Sequence, residues 1–200
     1  MLRIGITGGI GSGKTTVCRI FEVLGIPVYY ADDAAKELMN RDGELKQEII
    51  KNFGEASYLE GKLNRTYISG IVFSAPEKLK LLNSLVHPRT IQDAEDWMKK
   101  QNSPYALKEA ALIFESGSQQ SLDYVIGVAA PLEVRISRTI QRDKISNELA
   151  EKKINQQMNE EEKMKLCHFL IKNDETSSLI QQVLSVHEQL LSLSKSRANG

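Results

Sequence analysis

The sequence predicts an α/β fold: a five-stranded parallel sheet flanked by helices, with an inserted helical lobe and a helical lid. Three observations predict it. A glycine-rich loop sits between a strand and a helix near the N-terminus, short apolar runs alternate with helical patterns along the chain, and a mostly helical stretch of about 33–101 is too long for a simple crossover.

The first strand is the apolar run Leu2 to Thr7. Gly8-Gly9-Ile10-Gly11-Ser12-Gly13-Lys14-Thr15 follows it, with two glycines bracketing four residues before Lys-Thr, the pattern of a P-loop. Around Gly11, Ser12 and Gly13 the backbone can curl so that consecutive N–H groups converge on phosphate oxygens at a helix N-terminus. Lys14 is then expected to reach the β and γ phosphates, the Thr15 hydroxyl to bind the bridging Mg²⁺, and Thr16 to stand one residue further into the helix. The chain is thereby expected to bind a nucleoside triphosphate. Val17, Ile20, Phe21 and Leu24 mark one apolar helix face, which Gly25 and Pro27 end.

Val28 to Tyr30 reads as a second strand that delivers Asp32 and Asp33 to its C-terminal end, where open α/β sheets bind ligands. Were this strand beside the first, Asp32 would lie near the γ-phosphate as a base or a ligand of metal-bound water, leaving Asp33 to cap the following helix. Residues of about 33–101 are mostly helical and form the inserted lobe, with Lys62-Leu63-Asn64-Arg65 beginning a helix after a turn, and His87-Pro88 separating two others. Tyr105 to Phe114, Tyr124 to Ala129 and Phe169 to Ile171 complete the strands. The nucleotide-binding core thus spans about 1–32, 102–142 and 166–195 of a single domain. The charged stretch of about 143–165, with Glu160-Glu161-Glu162, is expected to project as a lid. A closing helix carries Leu179, Val183, Val186 and Leu190, and Lys195 to Gly200 read as a frayed tail.

Arg135, Arg138 and Arg142 recur at i, i+3 and i+7, which aligns three guanidinium groups on one helix face suited to phosphate oxygens. Lid closure would carry Arg142 toward the phosphates and expel water. Glu115, just beyond the third strand, either binds substrate or caps a helix. Glu109 is a weak candidate for a second Mg²⁺ carboxylate.

Twenty-six basic residues balance twenty-six acidic ones, so no global positive field favours a nucleic acid. No apolar run approaches the roughly 20 residues of a membrane span. Cys18 and Cys167 form no CxxC pair, which suits a reducing cytoplasm. Nothing in the sequence fixes an oligomeric state. A GTPase-like switch would need Asn-Lys-x-Asp, which the chain lacks, whereas a kinase for another small molecule would share the fold and the phosphate residues.

Taken in order, the P-loop, Ala31-Asp32, Leu63-Asn64-Arg65, Val86-His87-Pro88, Leu112-Ile113-Phe114-Glu115, Arg138-Thr139 with Arg142-Asp143, Gln157 and Ile171-Lys172-Asn173 resemble the dephospho-CoA kinase family along nearly the whole chain. The resemblance implies phosphorylation of the ribose 3′-hydroxyl of dephospho-CoA by ATP, the last step of CoA synthesis. It implies that Asp32 takes the hydroxyl proton, that Lys14, Arg138 and Arg142 stabilise the migrating phosphoryl, that Asn64, Arg65 and His87 help hold the CoA-side substrate, and that Asn173 lies near the adenine. Tyr30, Ala111, Arg135 and Cys167-His168 depart from the family pattern. Tyr30 leaves one well-supported aspartate where two often stand, and Cys167-His168 bears on the packing of the last strand.

Overall fold

The computed structural model describes residues 1–198. In chain order it comprises β1 (Leu2–Thr7), α1 (Lys14–Val23), β2 (Val28–Tyr30), α2 (Ala31–Arg41), α3 (Gly43–Phe53), β3 (Tyr58–Leu59), β4 (Lys62–Leu63), α4 (Arg65–Ser74), α5 (Pro76–Lys99), β5 (Tyr105–Glu109), β6 (Tyr124–Ala129), α6 (Leu132–Asp143), α7 (Asn147–Asn155), α8 (Glu160–Lys165), β7 (Phe169–Lys172) and α9 (Leu179–Ala198). The chain divides into two compact units, Met1–Tyr30 together with the chain from Met98 on, and Ala31–Trp97.

In the first unit five parallel strands run in the order β2-β5-β1-β6-β7. The strands read as apolar runs rather than alternations because helices cover both faces of such a sheet. Ile4 and Ile6 of β1, Leu107 of β5, Ile126 and Val128 of β6 and Ile171 of β7 form one core with Val17 and Phe21 of α1 and Val183, Val186 and Leu190 of α9. Each wholly buried side chain of this size contributes about 1.5–3 kcal/mol. Tyr105 and His187 share a hydrogen bond of 2.6 Å that ties β5 to α9. At the far edge the Val125 amide donates to Nδ1 of His168 while the His168 amide donates to the Val125 carbonyl, so the Cys167-His168 departure does act on the seating of the last strand.

Several expectations are corrected. β5 lies between β1 and β2, so the second strand is not beside the first. The third long strand stops at Glu109, and the apolar residues up to Phe114 turn instead, their Ala111 carbonyl accepting from Thr7 Oγ1. The 143–165 segment does not project bare. Ala150 and Ile154 of α7 form a small core with Ile136 and Ile10, and Lys163 of α8 is wholly buried. Lys195 to Ala198 continue α9, and the last two residues of the expected tail, 199 and 200, lie outside the described residues.

The second unit packs Leu38, Leu45, Ile49, Phe53, Ile68 and Val86 into its own core. Asp42 caps α3 by accepting from the Leu45 amide at 3.0 Å. Lys62 and Leu63 do not begin a helix; they pair with Leu59 and Tyr58 as a hairpin whose Glu60 and Gly61 both take positive φ, the signature of a tight two-residue turn. α4 then starts at Arg65, capped by Asn64. Nor does His87-Pro88 separate two helices. α5 runs through Pro88, which is exposed and forfeits only the helical bond to the carbonyl one turn back.

Candidate active site

At the C-terminal end of β1 the chain leaves the sheet through Gly8 to Gly13 and enters α1 at Lys14. Gly11 and Gly13 there admit no side chain. Gly11 (φ 79°) would place a Cβ 2.4 Å from the Arg135 carbonyl, and Gly13 (φ 91°) would place one 2.1 Å from Nδ2 of Asn173. Gly13 caps α1 without a side-chain acceptor, and the first turn carries no acid. The leading amides of α1 and its positive dipole end are therefore open to an anion. Ser12 Oγ is buried without a hydrogen-bond partner, an orphan inside this cradle. Lys14 bends back over the loop, its Nζ donating to the Gly8 and Gly9 carbonyls at 2.9 and 3.2 Å. Thr15 and Thr16 are exposed at the same helix end.

Three neighbouring elements hold the loop. Gln157 accepts from the Ile10 amide at 2.8 Å, Arg135 Nε donates to the Ile10 carbonyl at 3.0 Å, and Asn173 Nδ2 donates to the Ser12 carbonyl at 2.8 Å. Arg138 lies against this support, with Nη1 3.5 Å from the Gly11 carbonyl and Nη2 3.4 Å from Asn173 Oδ1 and 3.1 Å from Glu175. The expected arginine face therefore splits by burial. Arg135 is 4% exposed and paired with Glu160, its affinity for its proton lowered by burial. Arg138 is half-buried beside the loop, and Arg142 is exposed and bonded to Asp143 at 2.8 Å. Arg135 thus serves the loop backbone, a correction to its place among three phosphate-facing arginines.

Glu115 is drawn into structure. Its Oε1 lies 2.8 Å from the buried Lys163 ammonium and accepts from the Met158 amide at 3.1 Å. Tyr30 supplies no second carboxylate; burial and a hydrogen bond with Glu22 keep its phenol protonated. Glu109 ends β5 almost wholly buried. Among the described residues no cluster of three or more His, Cys, Asp or Glu could hold a metal ion alone. The cradle and Thr15 fit an ion carried on a nucleotide's phosphates.

In the second unit Asp32 and Asp33 both occupy the first turn of α2. Asp33 is not a cap, since its carboxylate pairs with Lys36 at 2.6 Å. Asp32 is exposed and, among the described residues, carries no ion pair. Asn64 accepts from the Tyr67 amide and donates to the Ala56 carbonyl, so its amide serves the start of α4. Arg65 lines a cleft of about 620 Å³ with Lys36, Asn40, Arg41 and Lys62. His87 lies half-buried on α5, where it has a partner.

The loop, Lys14, Thr15, Thr16, Arg138 and Asn173 thus come together, whereas Glu115 and Asn64 are committed to local structure. Sequence reasoning missed Gln157, Glu160 and Lys163 as loop and sheet supports. One signal was available: Gln157 and Lys163 lie six residues apart on either side of a helix start marked by Asn159.

The family profile described as dephospho-CoA kinase matches residues 2–178. A dephospho-CoA kinase of Bacteroides fragilis is 36% identical over 186 residues, covering 92% of this chain and 91% of its own. One from Chlorobaculum tepidum is 39% identical and covers 96% of both chains. The solved dephospho-CoA kinase of Campylobacter jejuni superposes with a TM-score of 0.69 at 30% identity, covering 98% of each chain.

Proposed function

The chain belongs to the dephospho-CoA kinase family, and on that premise we propose that it transfers the γ-phosphoryl of ATP to the ribose 3′-hydroxyl of dephospho-CoA with Asp32 as general base. The observation that carries this reading is the anion cradle at the N-terminus of α1, open at its amides and braced from behind by Arg135, Gln157 and Asn173.

Lys14 and the leading amides of α1 would bind the β and γ phosphates, with the Lys14 ammonium exchanging the Gly8 and Gly9 carbonyls for phosphate oxygens. Mg²⁺, held by Thr15 and the phosphates, would supply charge neutralisation between them. Arg138 is favoured as a phosphoryl-side cation because it already lies against Gly11 and keeps solvent access. Arg142 would join it when the 143–165 segment closes, excluding water from the transfer.

Between the two aspartates of α2, the free carboxylate favours Asp32 as the base. Asp33 would have to break its Lys36 pair first. The acceptor hydroxyl gives its proton to Asp32 as its oxygen attacks the γ-phosphorus and the bond to the β-bridging oxygen of ADP breaks. On the acceptor side, Arg65 and His87 would bind the CoA-side substrate. Asn64 would act by fixing the start of α4 beside Arg65, and Glu115 by fixing the loop that precedes α8. The Asn173 amide is occupied by the loop, which leaves its neighbouring backbone to meet the adenine. The two free cysteines suit a reducing cytoplasm, and no helix among the described residues is long and apolar enough to cross a membrane.

The test is Mg²⁺-dependent ADP release with dephospho-CoA, set beside adenosine, AMP and pantothenate. Turnover confined to dephospho-CoA supports the proposal. Turnover with another acceptor and none with dephospho-CoA would discard it while keeping a small-molecule kinase.

A further inference from the structure

Ile10 is held by both of its backbone polar groups, its N–H by Gln157 Oε1 at 2.8 Å and its carbonyl by Arg135 Nε at 3.0 Å. The same guanidinium lies flat against the preceding residue, where a Cβ on Gly9 would fall 2.1 Å from Nη2. Its remaining edge pairs with Glu160 in the first turn of α8. The anchor is itself held in place by its own backbone contacts. Thr139 Oγ1 donates to the Arg135 carbonyl at 2.7 Å, and the Arg135 Cα stands 2.9 Å from where a Gly11 Cβ would be.

A buried cation is costly unless it is paired and hydrogen-bonded, and Arg135 is both. What it holds is the turn immediately before the Gly11 to Lys14 arc, which leads into the uncapped N-terminus of α1. Displacing such an arc by about 1 Å can cost on the order of a hundredfold in rate.

We propose that Arg135 is a positioning residue for phosphoryl transfer: its guanidinium, neutralised by Glu160, sets the Gly9–Ile10 turn of the phosphate loop through its N–H donor to the Ile10 carbonyl. Arg135 touches no substrate and acts through the loop. Gln157, in the connection between α7 and α8, holds the amide of the same residue. The transfer reaction assumed here rests on the dephospho-CoA kinase reading, whereas the loop geometry does not, and nucleotide binding is therefore measured apart from turnover.

Two double variants of the full chain make the test, Arg135→Gln with Glu160→Gln and Arg135→Met with Glu160→Gln. Both replace the ion pair by neutral side chains of similar length, but only the Gln variant keeps an N–H donor for the Ile10 carbonyl. Mg·ATP affinity by calorimetry, kcat, KM for each substrate and Tm are measured on both. The expected result is that the Met variant binds Mg·ATP about tenfold more weakly and loses about ten- to a hundredfold in kcat/KM for ATP. KM for the acceptor stays within about twofold, and the Gln variant stays within about threefold of the parent throughout. Equal losses in the two variants, or losses that follow Tm alone, overturn the proposal. Should the Met variant not fold, the Gln variant decides: Mg·ATP affinity within about threefold upholds the donor's role, and a larger loss overturns it. If the acceptor assignment is wrong, the parent itself shows no transfer, while the difference in Mg·ATP affinity between the variants still reads out the positioning.

Discussion

Replacing Glu115 by Ala should destabilise the fold by about 3 kcal/mol. Lys163 is wholly buried, and its ammonium has the Glu115 carboxylate at 2.8 Å and the Ala111 carbonyl at 2.9 Å. Removing one partner of a buried pair costs about 3–5 kcal/mol. The retained Ala111 carbonyl and the partial exposure of Glu115 place this case at the lower end. The Met158 amide loses its acceptor as well, but that bond is exposed and water replaces it, so it adds little. For a chain of this size each kcal/mol lowers Tm by about 2–4 °C, so the variant should melt about 6–12 °C lower. Calorimetric melts and urea unfolding measure this directly. The pair Glu115→Gln with Lys163→Met should recover most of the loss, because a neutral replacement leaves no buried charge unpaired. A Glu115→Ala variant that melted within about 2 °C of the parent and raised the acceptor KM about tenfold would refute this reasoning and return the carboxylate to the substrate.

Asp32→Asn should lower kcat by about a hundredfold or more while Mg·ATP affinity stays within a few-fold, since the carboxylate acts on the acceptor; near-normal kcat in steady-state assays would remove Asp32 from the role. Arg142→Ala should lower kcat about tenfold or more and change Mg·ATP affinity far less if closure acts in the transition state; equal losses in kinetics and in equilibrium binding would mean ground-state binding instead. Asp143 is held at about 2, first by its hydrogen bond with Arg142 and also by Lys153. Its folded carboxyl lies below its unfolded value, so the stability it adds is present above about pH 4 and is lost as pH falls toward 2. The Asp143→Asn variant should accordingly show a flatter dependence of Tm on pH between 4 and 2, measured by acid titration of the melt.

The phosphate loop was legible because its constraint is local. Gly11 and Gly13 take positive φ, which favours glycine whatever packs around them, and the spacing of those glycines is visible in the chain. The strands β1, β6 and β7 were legible as apolar runs. The turn from Ala110 to Phe114 was not, because its residues are as apolar as a strand and one of them, Ile113, is wholly buried. Strand order was equally hidden, since it depends on β5, far along the chain, inserting between β1 and β2. Arg135, Arg138 and Arg142 are one residue type on one helix, and only the approach of Glu160 and Ile10 separates the buried one from the others. The same holds for the aspartates of α2, where Lys36 occupies Asp33. Asn64 carried a cap signal that the sequence reading passed over in favour of a substrate role.

The central claim is the transfer of one phosphoryl group to one hydroxyl, and the most direct test is to incubate the protein with Mg·ATP and dephospho-CoA and follow the products by ³¹P NMR and chromatography. The account predicts equal amounts of ADP and CoA, with a single new phosphomonoester at the ribose 3′ position. ADP formed without CoA, or a phosphomonoester at any other position, would contradict it.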